Sequence, residues 1–250
     1  MQQQDLAVII LAAGKGTRMK STLAKVLLPL AGHPLLHYVL NLSSKLNPVR
    51  TIVVVGHQSG QVQKAFSGRG VEFVVQHQQL GTGHAAQQTQ SKLKSFKGLV
   101  LVLCGDMPLI RPKTLQQMVA GHRASGAKCT VLTLKSDGCH DFGRIIRDDN
   151  GLILKIVEFK DASEVEKKVD EFNSGVYCFD NELFFKALGH VNSDNVQKEY
   201  YLTDTIEYLV KKKYPVQAIQ TKDENEILGI NSPEDLKRAE QLLADECPSS

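Results

Sequence analysis

The sequence predicts an α/β fold, with a mostly parallel central sheet, helices on both faces and an antiparallel extension in the second half. Three observations carry this. Through the first 135 residues, apolar runs of strand length alternate with stretches of helical length. Several of those runs, at 6–12 and 99–103 among others, are apolar throughout, as strands buried on both faces are. After about Lys135 the pattern changes, and Asp148-Asp149-Asn150-Gly151 between two apolar runs marks a hairpin.

The first strand, 6–12, breaks into Gly14-Lys15-Gly16-Thr17-Arg18. Pro34 suits the first turn of a helix that runs on to about residue 46. A second strand at 51–55 is closed by Gly56. A helix at 58–66 and a third strand at 71–75 follow. Gln79-Leu80-Gly81-Thr82-Gly83 is a second glycine loop that opens a helix over 84–94. The strand at 99–103 ends in Cys104-Gly105-Asp106-Met107-Pro108, and a helix at 114–123 leads to a strand at 129–134. Beyond the hairpin lie a strand at 171–179, a helix at 201–213 and a strand at 215–220. Ser232 caps a last helix with Pro233 at its first position and Glu234 and Asp235 in its first turn. That helix ends near Glu246, and Pro248-Ser249-Ser250 reads as a frayed tail. The expected organisation is one domain of two lobes, 1–135 and 136–231, with 232–250 as terminal helix and tail.

Composition excludes several classes. At 250 residues the chain can bury a real core, and a prior of about 150 residues per domain allows one large domain or two small ones. It lacks an apolar run of membrane-spanning length. Met1-Gln2-Gln3-Gln4-Asp5 has no basic region and leads straight into a strand, so no signal peptide is expected. A net charge of +3 is too small to argue for nucleic acid. The cysteines, Cys104, Cys129, Cys139, Cys178 and Cys247, are odd in number and lack C-x-x-C spacing. They read as free thiols in a reducing cytoplasm, neither a disulfide framework nor a zinc site.

The glycine loop after the first strand points to phosphate. Its glycines let backbone N–H groups approach an anion, and Lys15, Arg18, Lys20 and Lys25 crowd around it. It is neither a P-loop nor a dinucleotide fingerprint, because Met19 stands where each needs a glycine. A plain strand–turn with solvated lysines is the competing reading. Ligands in open α/β sheets bind beyond the carboxyl ends of the strands, where both glycine loops and Asp106 fall. Asp106 is a candidate magnesium carboxylate or merely a cap on the turn to Pro108. His84 reads as structural, and His33 and His37 fit a helix face. No serine or cysteine is placed beside a histidine base, which fits a reaction run by positioning and charge neutralisation.

With these residues in view, the chain resembles the sugar-1-phosphate nucleotidyltransferases. Leu11-Ala12-Ala13-Gly14-Lys15-Gly16-Thr17-Arg18-Met19, followed by Lys25-Val26-Leu27, is similar to that family's signature. Gln79 to Ala85, Gly105-Asp106-Met107-Pro108, Phe142-Gly143-Arg144-Ile145, Ile156-Val157-Glu158, Lys160-Asp161-Ala162, Asn173-Ser174-Gly175, Glu199-Tyr200-Tyr201-Leu202-Thr203-Asp204 and Leu228-Gly229-Ile230-Asn231 follow in order. They look like the uridyltransferase half of bacterial N-acetylglucosamine-1-phosphate uridyltransferase. The resemblance implies a Rossmann-like, GT-A-like fold and uridylyl transfer from UTP to N-acetylglucosamine 1-phosphate in the cytoplasm, with Mg2+ as cofactor and neither nucleic acid nor membrane as partner. It implies that Leu11, Ala13, Gly14 and Gly16 hold the nucleotide and that Arg18 and Lys25 neutralise its phosphates. By the same resemblance Gln76, Gly81 and Thr82 read the uracil, Asp106 and Asn231 hold magnesium, and Gly143, Glu158, Asn173 and Thr203 hold the sugar in the second lobe. From their own surroundings Glu158, Asn173 and Asn231 suggest no site.

Three departures stand out. Cys104 replaces a tyrosine often seen before Gly-Asp, which removes any sugar contact from that ring. Ala24 replaces a proline before Lys25, which predicts a looser loop. Ser174 replaces threonine, a mild change. No acetyltransferase β-helix half is expected after Asn231, so the family's acetyl-CoA chemistry and its trimer do not carry over. A different nucleotide or sugar, such as glucose 1-phosphate, and a catalytically silent sugar-nucleotide sensor remain the alternatives.

Overall fold

The computed structural model describes residues 5–19, 21–138 and 141–246; Lys20, Cys139, Cys247, the opening Met1-Gln2-Gln3-Gln4 and the tail at 248–250 lie outside the described residues. A nine-stranded sheet runs through the molecule in the order β11-β7-β10-β6-β1-β4-β5, with β8 and β9 branching from β10. Four parallel strands form one side: β1 (Asp5–Ala12), β4 (Arg50–Val55), β5 (Glu72–Val75) and β6 (Gly98–Cys104). On the other side β7 (Cys129–Lys135) and β11 (Val216–Thr221) are parallel to each other. Between the halves lies β10 (Glu171–Asp180), antiparallel to both β6 and β7. A strand from late in the chain thus fills the middle of the sheet. The expected hairpin is β8 (Arg144–Arg147) and β9 (Ile153–Val157), with Ile145 opposite Ile156.

The apolar run of β1 serves two cores at once. Leu6, Val8, Ile10 and Ala12 face one helical layer, with α1 (Leu35–Ser44), α2 (Ser59–Ala65) and α5 (Pro112–Ser125). Ala7 and Ile9 face the other, with α3 (Thr82–Gln87), α6 (Asn181–Leu188) and α7 (Asp204–Lys211). Alternate residues of a strand point to opposite faces, so a strand covered on both sides must be apolar at every position. A third cluster joins Met19, Leu30 and Leu35 to Ile230 and Ala239, packing α8 (Pro233–Glu246) against a short hairpin of β2 (Pro29–Leu30) and β3 (His33–Pro34).

Some elements differ from the sequence reading. Pro34 lies in β3 with ψ 146°, one residue before α1 begins, so it precedes the helix. His33 is likewise in β3, and its ring stacks on His37 of α1 at 4.3 Å. Ala31 and Gly32 make the turn between β2 and β3 with φ of 45° and 86°, as two-residue hairpins require. The helix expected over 84–94 is two pieces, α3 and α4 (Gln90–Leu93), because the Thr89 hydroxyl donates to Ala86 O at 2.7 Å and competes with the ladder. Helix α6 has no counterpart in the sequence reading. Its signal was Asp180, whose carboxylate accepts from Leu183 N as an N-cap. Among the described residues no helix is long and apolar enough to cross a membrane.

Phe179 of β10 is fully buried, 5.7 Å from the Tyr177 ring and 4.6 Å from that of Phe184. Phe179→Ala should cost about 3–5 kcal/mol in urea unfolding; a loss under about 1 kcal/mol would mean that this ring stack is not holding β10 against α6.

Candidate active site

The loop after β1 is shaped by Gly16. Its φ is +62°, and a Cβ there would stand 2.6 Å from Lys25 Cβ, so only glycine fits both the turn and the contact. Met19 N donates to Gly16 O at 3.0 Å, closing a short turn, and the buried Met19 pins that turn to the third core cluster. Arg18 and Lys15 are left exposed. The chain then returns through Ala24 to a second turn, Lys25–Leu27, where Lys25 is only 9% exposed.

Three distant segments meet at Lys25. Its ammonium donates to the Asp106 carboxylate and to Asn231 Oδ1 at 2.7 Å. Asp106 follows β6, and Gly105 before it lies tight against β1, its N–H donating to Leu11 O at 2.8 Å. Ile230 N donates to Asp106 O at 2.9 Å, which brings the approach to α8 alongside. Asn231 is oriented by its Nδ2 on Gly229 O and by Asp235, whose carboxylate accepts from both Asn231 N and Ser232 N at 2.8 Å. Ser232 Oγ accepts from Asp235 N in return. The α8 cap read from sequence therefore also aims the Asn231 oxygen. Lys25, Asp106 and Asn231, with Leu11, Gly14, Gly16 and Arg18, wall a cavity of about 260 Å³. Among the described residues no three histidine, cysteine or acidic side chains converge on one point.

A second group flanks the ends of β4 and β5. Gln76 is buried, and its Nε2 donates to Gly81 O at 3.1 Å and lies 2.9 Å from His84 Nδ1. Gly81 has φ +106°, and a Cβ there would meet Tyr200 O at 2.6 Å. The Thr82 hydroxyl accepts from Leu202 N at 3.0 Å, and Gly83 N donates to Tyr200 O at 2.8 Å. The second glycine loop is thereby sewn to the segment before α7. Gly56 lies between this loop and the first one, since a Cβ on it would stand 2.7 Å from Ala13 O and 2.8 Å from Gln79 Nε2.

The third group is Gly143, Glu158, Asn173 and Thr203. Thr203 Oγ1 donates to Glu158 Oε1 at 3.0 Å, and a Cβ on Gly143 would stand 3.5 Å from Glu158 Oε2. Asn173 N donates to Gly143 O at 2.8 Å, and its side chain bridges Tyr177 OH at 2.7 Å and Gly175 N at 3.1 Å. Gly175 bulges β10 with φ +81°, and its carbonyl faces Cys104 Sγ at 3.6 Å. Burial first, and then the negative charge of Asp106, push the Cys104 thiol up to about 12; Lys25 opposes and Glu158 adds. Cys104 therefore sits between the Lys25–Asp106 pair of the first group and Glu158 of the third, at the position where the sequence reading noted a missing aromatic ring. Cys104, Cys129 and Cys178 are all free thiols.

Two acids given no role in the sequence reading belong to this region. Asp161 accepts from Tyr201 OH at 3.0 Å and from Val196 N at 2.8 Å. Asp204 opens α7, where burial, then Glu158, Glu207 and Asp161, raise its carboxyl to about 6. Glu158 is raised too, chiefly by burial, with the Thr203 hydroxyl opposing and Asp161 and Glu199 adding. Both acids lie inside motifs quoted above, but acids at a helix start and in a loop carry no distinguishing sequence signal.

The chain is similar to known proteins. Residues 8–187 match the family model described as a MobA-like NTP transferase domain. The chain is 46% identical over 235 residues to the bifunctional protein GlmU of Bacillus subtilis (strain 168), covering 94% of this chain and 51% of that protein. It is 45% identical over 238 residues to the bifunctional protein GlmU of Trichlorobacter lovleyi, covering 95% of this chain and 52% of that one. The chain thus spans about half the length of these curated relatives. The solved structure of a UDP-glucose pyrophosphorylase complexed with UDP-glucose superposes with a TM-score of 0.76 over 97% of this chain and 99% of that one. At 18% identity that likeness speaks to the fold alone.

The carboxylate cluster gives a pH test. Asp204 is raised to about 6 in the fold from the ordinary aspartate value of 3.8 that it takes when unfolded. As pH rises the unfolded chain loses this proton first, so the group's contribution falls from about pH 4 and is fully unfavourable above pH 6. Asp204→Asn should therefore stabilise the protein at pH 8, by about 1–2 kcal/mol after solvent screening of a half-buried carboxyl, with the gain fading toward pH 4. Urea unfolding at pH 4, 6 and 8 checks the slope; a gain independent of pH would remove the carboxylate repulsion.

Proposed function

This chain belongs to the MobA-like NTP transferase family, and on that premise we propose that it transfers a uridylyl group from UTP to N-acetylglucosamine 1-phosphate, releasing pyrophosphate. The observation that carries the reading is the meeting of Lys25, Asp106 and Asn231, from three distant segments, beside a glycine loop at the carboxyl ends of β1 and β6. The substrate pair is the one the motif resemblance implies, and the 44–47% identity to bifunctional GlmU proteins supports it. Only about half of each is matched, so nothing beyond this one transfer is carried over.

The sugar phosphate oxygen attacks the α-phosphorus in line. The bond from that phosphorus to the bridging oxygen breaks, and pyrophosphate leaves with the electron pair. Orientation of two anions that repel each other is the main task, and it can contribute roughly 7–11 kcal/mol at best. The backbone of Leu11, Ala13, Gly14 and Gly16 holds the nucleotide, Gln76, Gly81 and Thr82 face its base, and Gly143, Glu158, Asn173 and Thr203 take the sugar. Arg18 and Lys25 neutralise the charge that develops on the phosphates. Asp106 and Asn231 would hold magnesium. Their oxygens already converge on one cation, the Lys25 ammonium. Magnesium commonly takes one or two protein oxygens and fills its shell with water and substrate phosphates. Bound there, it would screen phosphate charge. The cytoplasm, where both substrates would be met, fits free cysteines.

Pyrophosphate release with UTP and N-acetylglucosamine 1-phosphate, with and without magnesium, tests this directly. Glucose 1-phosphate and the other nucleoside triphosphates serve as competitors. Release with another pair reassigns the substrate, and none with any pair leaves a sugar-nucleotide sensor. Arg18→Ala and Asp106→Ala should each lower turnover at least about a hundredfold, and a variant with near-normal turnover would remove that residue from its role.

A further inference from the structure

Lys25 can act only if the loop that carries it is held, and Ala24 before it lacks the ring that would stiffen this backbone. The sequence reading expected a looser loop for that reason. The structure holds it by other means. Gln58, 34 positions on in the turn between β4 and α2, makes two bonds to that loop. Its Oε1 accepts from Ala24 N at 2.6 Å, and its Nε2 donates to Thr22 O at 2.5 Å. One side-chain amide thus closes onto the backbone of residues 22–24, immediately before Lys25.

The conformation of Gln58 supports this. Its φ is 53° and ψ 36°, in the left-handed region that glycine enters freely and other residues enter at a cost. A residue with a long side chain is kept in that conformation where the side chain makes two bonds across to another segment. The turn is itself fixed to the first loop. His57 N approaches Ala13 O at 3.4 Å, and Gly56 packs so closely on Ala13 that a Cβ would stand 2.7 Å from its carbonyl. The glycine loop is therefore fastened at both ends, at Ala13 and at Ala24, to one turn, residues 56–58.

We propose that Gln58 is a positioning residue for Lys25. Its amide holds residues 22–24 and thereby sets where the ammonium stands. Ala24 is part of the same device, because only a residue with an N–H can donate to Gln58. The backbone of Ala24, with φ −54°, already lies in the range that proline enforces. A proline there would keep the dihedral angle but put a ring carbon in the space of the N–H, hard against Oε1. The pair Ala24 and Gln58 thus does by hydrogen bonding what a proline does by ring closure.

The role of Lys25 rests on the proposed transfer, but the clamp itself can be read without it. Gln58→Gly removes both bonds and relieves the left-handed strain, so thermal stability should hold. In this variant kcat for pyrophosphate release should fall about tenfold to a hundredfold, as for a misplaced catalytic group. KM for UTP should stay within about twofold. Adding Ala24→Pro to Gln58→Gly should restore kcat to within about threefold of the wild type, whereas Ala24→Pro alone should lower it. Amide hydrogen exchange of the peptide over 21–28 is the second readout, and Gln58→Gly should speed it in the absence of substrate. An unchanged kcat in Gln58→Gly, or no rescue by Ala24→Pro, overturns the proposal. If the wild type turns over no substrate pair, the proposed function fails and exchange alone decides. Unchanged protection of Ala24 in Gln58→Gly would then overturn the clamp.

Discussion

An ammonium that is nine-tenths buried must find oxygen, and the rest of the site follows from where Lys25 finds it. The Asp106 carboxylate and the Asn231 amide oxygen come from the end of β6 and the entry to α8. Removing one partner of such a buried pair typically costs about 3–5 kcal/mol, because the other charge is left without compensation. The glycine loop, the central sheet and the terminal helix are thus not independent parts. Ile230 N on Asp106 O and the hydrophobic cluster from Met19 to Ala239 fix the same junction by backbone and by packing.

The charges around this junction have a direction. Arg18 and Lys25 stand on the glycine-loop side, while Glu158, Asp161 and Asp204 gather beyond Cys104. Burial is the largest cause that raises both Glu158 and Asp204; Glu158 adds to Asp204, and Asp161 adds to both. Cations on one side of Cys104 and carboxyl oxygens on the other would suit, in the proposed transfer, a molecule with a phosphate at one end and hydroxyl or amide donors at the other. Gly143 contributes by having no side chain, since a Cβ there would stand 3.1 Å from Ile156 Cγ2, a tight contact, and would also lie against Glu158 Oε2.

Much of this was legible in the sequence because local chemistry dictates it. A strand apolar at every position, a glycine turn and a carboxylate after the next strand all announce themselves, and the doubly wound sheet brings their ends together. The parts that were not legible depend on contacts across the fold. Nothing near Asn231 marks it until the α8 cap turns its oxygen toward Lys25. Asn173 resembles an ordinary strand residue until the Gly175 bulge places its side chain between Tyr177 and the backbone. The placement of β10 between β6 and β7 is equally silent, since the order of strands in a sheet is a property of the packed chain.

The departures show the same limit from the other side. Read along the chain, a small residue in place of a ring is a loss. In three dimensions Cys104 is the group that fits beneath the Gly175 carbonyl, and a Cβ on Gly175 would meet its sulfur at 3.3 Å. Ala24 supplies an N–H that finds an acceptor in Gln58. Each change is matched by a neighbour distant in sequence, so its effect has no sign until that neighbour is known. Stiffness of a loop belongs to the loop and its contacts together, and a residue preference read alone measures only half of it.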